Sequence, residues 1–197
     1  MRVILASASP ARLHTLRAAG IDPEVIISNV DESLYTASSP SALACLLAEK
    51  KAEDVFTRIG FPQDTIVIGC DSILDFEGKA LGKPGSPQGA VELLRRTRRR
   101  SGVLVTGHHV IVSTDRVHRV NRAGKTIIHV ADLSDGEIDA YVATGEPEHV
   151  AGGFTIDGFG GPFITGIEGD PHNVVGLSLP LLRMMLADCG IQWTSLW

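Results

Sequence analysis

The run Val3-Ile4-Leu5-Ala6-Ser7-Ala8-Ser9-Pro10-Ala11-Arg12 constrains this chain more than any other stretch. Four apolar residues fit a short buried strand, and Ser-x-Ser-Pro fits a tight turn into a helix. Ser9 suits the N-cap, and Pro10 suits the first helical position, where its missing N–H costs nothing. A helix that starts where a strand ends aims free N–H groups, and the positive end of its dipole, at whatever lies above it. Ser7, Ser9 and Arg12 share that spot, so a phosphate group is the expected guest. The same residues also suit an ordinary helix start followed by a surface arginine.

The remaining pattern alternates strands and helices. Glu24 to Ser28 reads as a second strand, Ala42 to Ile59 as a helix, and Thr65 to Gly69 as a central strand leading into Cys70-Asp71-Ser72. Phe76-Glu77-Gly78-Lys79 reads as a hairpin turn and Gln88 to Arg98 as a helix. Val103 to Ser113 and Val117 to Ala131 form two or three further strands. Ser134-Asp135-Gly136-Glu137 has the form of a capping box, and a last helix starts near Leu179. This predicts an α/β fold with a mixed sheet, since the hairpin-like strands disfavour an all-parallel one.

Several polar residues stand where chemistry is plausible. Asp71, expected at the end of an apolar strand, occupies the usual ligand position of open α/β sheets. It suits a divalent metal or the acceptance of a proton from water, and equally the capping of a turn. Asp31 and Glu32 offer oxygens to a metal such as magnesium, which needs only one or two carboxylates, or form a solvated acidic turn. Gly82-Lys83-Pro84 lacks the spacing and the Ser/Thr of a P-loop. Lys51 lies on a helix, as many surface lysines do. The run Arg95 to Arg100 suits nucleic acid or an acidic partner or, more simply, the C-terminal end of a helix.

Composition removes several classes. With 197 residues the chain can build one sizeable core or two lobes, and we read residues 1–197 as a single domain. A net charge of −5 and 5% aromatic residues disfavour nucleic-acid binding. Three cysteines in no CxxC pair argue against a disulfide framework or zinc, and for a reducing cytoplasm. No run of about 18 apolar residues exists to span a membrane, and the N-terminal apolar stretch is too short for a signal peptide.

In order and spacing, these pieces resemble the Maf family of nucleoside triphosphate pyrophosphatases. The likeness runs from Ser7-Ala8-Ser9-Pro10-Ala11-Arg12 through Val30-Asp31-Glu32, Lys51-Ala52, Gly69-Cys70-Asp71-Ser72, Leu81-Gly82-Lys83-Pro84 and Thr106-Gly107. It continues through Tyr141-x-x-x-Gly145-Glu146-Pro147 and Ala151-Gly152-Gly153-Phe154 to Ile167-Glu168-Gly169 and Asn173-Val174-Val175-Gly176-Leu177. It implies a twisted mixed sheet in two lobes around a cleft, like that of inosine triphosphatases. It further implies a cytoplasmic, homodimeric enzyme that needs Mg2+ or Mn2+ and cleaves nucleoside triphosphates to the monophosphate and pyrophosphate. On this resemblance Asp71 is the catalytic proton acceptor and, with Glu32, a metal ligand. Ser7, Ser9, Arg12, Lys51 and Lys83 hold the phosphates, and Arg12, Ser72 and Asp157 bear on base specificity. The other activity the family suggests is that of a nucleotide-binding regulator of septum formation without turnover.

The chain departs from the family pattern at four places. Cys70-Asp71-Ser72 stands for Ala-Asp-Thr, Ser9-Pro10-Ala11-Arg12 for Ser-Pro-Arg-Arg, and Arg99-Arg100-Ser101-Gly102 for Gly-Arg-Thr-His. Ile156-Asp157-Gly158 stands for Ile-Gln-Gly. Glutamine both donates and accepts hydrogen bonds, whereas ionised aspartate only accepts. Asp157 is therefore expected to favour a base edge rich in N–H donors, such as cytosine or adenine, over the O4 acceptor of uracil or thymine.

Overall fold

A computed structural model describes residues 1–197. Seven strands form one mixed sheet: β1 (Arg2–Leu5), β2 (Glu24–Val25), β3 (Thr65–Phe76), β4 (Lys79–Leu81), β5 (Ser101–Ser113), β6 (Val117–Val130) and β7 (Ile164–Glu168). The order is β2-β1-β3-β5-β6-β7, with β4 also paired to β3. β2, β1 and β3 run parallel, whereas β5, β6 and β7 are joined antiparallel. The expected mixed α/β sheet is thus present. Six helices flank it: α1 (Pro10–Ala18), α2 (Pro40–Arg58), α3 (Pro87–Thr97), α4 (Asp135–Val142), α5 (Pro171–Val175) and α6 (Leu179–Asp188). None is long and apolar enough to cross a membrane.

Local chemistry sets the helix starts. The Ser9, Ser39, Ser86 and Ser178 side chains each accept a first-turn amide, with proline at the following positions. The capping box at Ser134 and Glu137 is complete. Glu77 and Gly78, with φ of 55° and 77°, form the hairpin turn between β3 and β4, a backbone that matches strand twist.

Strand alternation divides the core between the two faces of the sheet. Ile66, Ile68 and Cys70 pack with Leu16 of α1 and with Leu182, Met185 and Leu186 of α6. Val67 and Ile111 pack with Ala52, Val55 and Phe56 of α2 on the opposite face. Farther along the strands, α3 and α4 form a separate cluster around Leu94, Ile138 and Tyr141. Val130 of β6 joins that cluster, while Leu74 and Phe76 of β3 and Leu104 of β5 pack with Ile128 and Phe154 in a further one.

Two boundaries differ from expectation. The second strand ends at Val25 because β1 ends at Leu5; Ile26 N–H to the Leu5 carbonyl, at 3.2 Å, is the final contact of that pair. Asp71 is not at a strand end. β5 pairs with β3 from Thr65 to Asp75, so β3 continues to Phe76 with Asp71 opposite Gly107. Asp71 nonetheless borders the cleft, since β1 stops opposite Ile68 and leaves that part of β3 uncovered. Neither β7 nor α5 was anticipated.

His108 and His109 point to opposite faces, as neighbours on a strand must. His108 is fully buried. Its Nε2 accepts the Ser178 amide at 2.8 Å, so Nδ1 carries the proton given to the Thr106 carbonyl at 2.9 Å. Burial, then the Arg12 charge, push its pKa down to about 4. Between pH 6.5 and 4 the unfolded chain therefore binds a proton that the folded chain refuses. Stability should fall by on the order of 3 kcal/mol as pH drops across that window. Denaturant midpoints at several pH values will read the fall, and His108→Gln should flatten it.

Candidate active site

The site begins where β1 ends. Beyond Leu5 the chain turns through Ser7 and Ser9 into α1, and the Ser9 hydroxyl caps the Arg12 amide at 3.5 Å. The Arg12 side chain folds back and is only 9% exposed. Its Nη1 donates to Ser7 Oγ at 2.9 Å, Nη2 to Ser72 Oγ at 3.1 Å and Nε to the Gly176 carbonyl at 2.8 Å. Three of its five N–H groups are thereby used and two remain. All three partners are neutral.

A one-way hydrogen-bond chain backs this arginine. Thr106 Oγ1 donates to the Asn173 carbonyl at 3.0 Å. Its one proton is thus committed, so it accepts from Ser72 across 2.9 Å, and Ser72 in turn accepts from Arg12. The guanidinium is held between α1, β3, β5 and α5.

On the other sheet face, α2 brings Lys51 over β3. Ala44, Ala48 and Ala52 repeat at every fourth position and let the helix lie directly on glycines. A Cβ on Gly69 would stand 2.3 Å from the Ala48 carbonyl oxygen, and one on Gly107 would stand 2.2 Å from that of Ala44. This contact places the Lys51 ammonium 2.6 Å from Asp71 Oδ1 and 2.7 Å from Glu32 Oε1. Lys51 and Asp71 are buried. Burial pushes the Asp71 carboxyl above its ordinary value, with Lys51 and Arg12 opposing. Oδ1 is taken by Lys51, whereas Oδ2 has no protein partner and is not sealed from solvent.

Ser7, Ser9, Arg12, Glu32, Lys51, Asp71, Ser72, Lys83 and Asp157 all line one cleft of about 890 Å³. Every site residue that the family resemblance implies is thus brought to one place, whereas Asp31 stays outside. Its Oδ1 caps the 3-10 turn that carries Glu32, accepting the Ser33 amide at 3.0 Å and hydroxyl at 2.6 Å. No three His, Cys, Asp or Glu side chains gather into a metal-binding array. Glu32 and Asp71, which meet at one cation, suit a magnesium-like ion that takes its other oxygens from substrate and water.

The family model described as Maf-like protein matches residues 2–189. The chain belongs to the Maf family. A nucleoside triphosphate pyrophosphatase from Salinispora tropica is 52% identical, over 100% of this chain and 88% of its own length. Another of that name, from Cutibacterium acnes, is 50% identical over 98% and 93%. A third, from Streptomyces coelicolor, is 50% identical over 100% and 94%. A solved HAM1 protein from Coxiella burnetii covers 97% of this chain and 100% of its own. At 12% identity and a TM-score of 0.47 it is too loose a likeness to add to the fold seen here.

Other sequence candidates fall outside this Maf-family cleft. Cys70 lies in the core, where burial pushes its thiol up to about 11. The arginine run is largely paired within the protein: Arg95 and Arg98 share Asp135, Arg99 pairs with Asp132 and Arg100 with Glu77. Arg96 lies over the Phe76 ring. The residues given no role in the sequence were Thr106, Asn173 and Gly176, which orient Arg12, and Glu146, which gathers the wall around Asp157. All four lie in the segments that carry the family likeness, but their partners are distant in the chain, so the sequence marks their positions and not their roles.

Proposed function

We propose that this Maf-family chain hydrolyses nucleoside triphosphates to the nucleoside monophosphate and pyrophosphate. The observation that carries the reading is the buried Arg12 guanidinium. It pairs with no carboxylate, keeps two N–H groups free and shares its cleft with Lys51 and Lys83. A buried charge without a counter-charge is costly, and an anionic ligand supplies one. Relatives at about half identity are nucleoside triphosphate pyrophosphatases by name, which supports a triphosphate as that anion and its hydrolysis as the reaction.

In this reading Ser7, Ser9, Arg12, Lys51 and Lys83 hold the triphosphate and offset the charge that builds on leaving pyrophosphate. Asp71 orients a water molecule through its free oxygen. The water oxygen attacks the α-phosphorus while its proton passes to Asp71. The bond from that phosphorus to the bridging oxygen breaks, and the electron pair leaves with pyrophosphate. Glu32 and Asp71 would hold a magnesium or manganese ion, which neutralises phosphate oxygens when bound. Asp157, exposed on the far wall, would meet the base and favour donor-rich edges. Free thiols at Cys45, Cys70 and Cys189 suit a reducing cytoplasm.

Phosphorus NMR with a panel of nucleoside triphosphates tests this directly. Monophosphate and pyrophosphate should appear with magnesium or manganese and vanish on chelation, and cytosine or adenine substrates should lead the ranking. Orthophosphate plus diphosphate would mean γ-cleavage instead. Absence of turnover across the panel would favour a binding protein.

A further inference from the structure

The structure assigns Glu146 as a positioning residue that sets base selectivity by holding the cleft wall Thr155–Gly160 in one conformation. This inference rests on the proposed function and concerns the end of the cleft away from Arg12 and Lys51.

Four hydrogen bonds meet on this single carboxylate. Oε1 accepts the Tyr141 hydroxyl at 2.8 Å, the Thr155 hydroxyl at 2.7 Å and the Gly160 amide at 2.9 Å. Oε2 accepts the Phe159 amide at 2.9 Å. Three of these four donors belong to the segment that carries Thr155, Ile156 and Asp157 into the cleft. The fourth, Tyr141, is buried on α4 against Phe163 and ties the clasp to the distal core. Glu146 itself does not line the cleft; it stands behind the wall.

The backbone is fitted to this clasp. A Cβ on Gly158 would lie 2.2 Å from Glu146 Oε2, and one on Gly160 would lie 2.5 Å from the Tyr141 hydroxyl. Between Phe154 and Gly160 the segment has no helix or strand hydrogen bonds to hold it. Its shape therefore depends on the carboxylate. Burial alone would push the Glu146 pKa up, but its hydrogen bonds outweigh this and hold it below the ordinary value, so the clasp is ionised at neutral pH. All four partners are donors, so a carboxylate fits and an amide does not. Glutamine would turn an NH2 group toward one or more N–H or O–H donors.

Geometry at the wall translates into discrimination between bases. A base edge is read by directed hydrogen bonds, and displacement of about 1 Å in a positioned group costs up to about 10²-fold. Phosphate binding at Arg12, Lys51 and Lys83 depends on none of these contacts.

The test measures kcat/KM for wild type and Glu146→Gln with the four common ribonucleoside triphosphates, beside the inhibition constant of pyrophosphate. The ratio between best and worst base should shrink by about tenfold or more, with pyrophosphate inhibition unchanged. Tyr141→Phe, which removes one donor and leaves the carboxylate, should shrink the ratio less and serves if Glu146→Gln fails to fold. A uniform loss across all bases, an unchanged ratio, or a wild type without base preference would overturn the proposal. Were the wild type to cleave no triphosphate, the functional reading would fall. Calorimetric affinities for the four monophosphates would then carry the same comparison.

Discussion

Asp71→Asn should lower kcat for triphosphate cleavage by about 10²–10⁴-fold, the usual contribution of a positioned base. Asparagine keeps the shape of the side chain, and its oxygen can still accept from Lys51. It cannot take a proton from water. Lys51 keeps Glu32 as a charged partner at 2.7 Å, so the fold should survive and the melting temperature should move little. Loss of turnover with retained binding of a nonhydrolysable triphosphate would assign the defect to chemistry rather than to assembly. The wild-type pH profile supplies a second check. Burial raises the Asp71 pKa above the ordinary 3.8. Activity needs the ionised form, so kcat/KM should fall as pH drops through a value above that of a free aspartate. An acid limb at or below the free value, or an Asn variant that turns over normally, would remove Asp71 from the base role.

Gly107→Ala should be the most damaging single methyl in the protein. The new Cβ would sit 2.2 Å from the Ala44 carbonyl oxygen and 2.6 Å from the Cys45 nitrogen. Both are backbone atoms of a regular helix and cannot swing aside, so α2 must lift from the sheet. Overpacking of a core commonly costs about 1–3 kcal/mol, and a clash with a whole helix should exceed the top of that range. The functional cost follows from the same movement. Gly107 pairs with Asp71 across the β3–β5 ladder, and α2 carries Lys51 above that point. Lifting α2 pulls the ammonium away from Asp71, so the folded fraction should also lose turnover, by up to about 10²-fold. Gly136→Ala is the control: a Cβ there meets nothing within 4 Å, and removing a helical glycine is mildly stabilising. Unfolding free energies from urea titration that agree within about 1 kcal/mol for the two variants would refute this account of how α2 is seated.

Much of the architecture was legible before any coordinates. The serine–proline pair at Ser9, the capping box at Ser134 and the Glu77-Gly78 turn all became the elements they suggested. Each rests on bonds within a few residues. The misread boundaries have a common cause, which is pairing. Ile26 to Ser28 have good strand chemistry but no neighbour beyond Leu5, whereas Asp71 and Ser72 interrupt an apolar run yet stay in a strand because β5 pairs with them throughout. Candidate residues such as Lys51 and Glu32 were visible only as types. On the sequence alone Lys51 also suited a solvated helix face, and only its burial between two carboxylates sets it apart.

The amino-acid sequence by itself determined the kind of each element, the anion-ready turn from β1 into α1, and membership in a family, because caps, turns and periodicity are local. Tertiary structure alone decided that Ser7, Arg12, Glu32, Lys51, Asp71, Lys83 and Asp157 line one cleft. It also decided that Arg12 is steered through Ser72 and Thr106 to the Asn173 carbonyl, and that Glu146 stands behind the wall. The physical reason is reach. A hydrogen bond spans about 3 Å, and groups far apart in the chain come that close only after strand register and the seating of α2 on Gly69 and Gly107 have fixed where every side chain points.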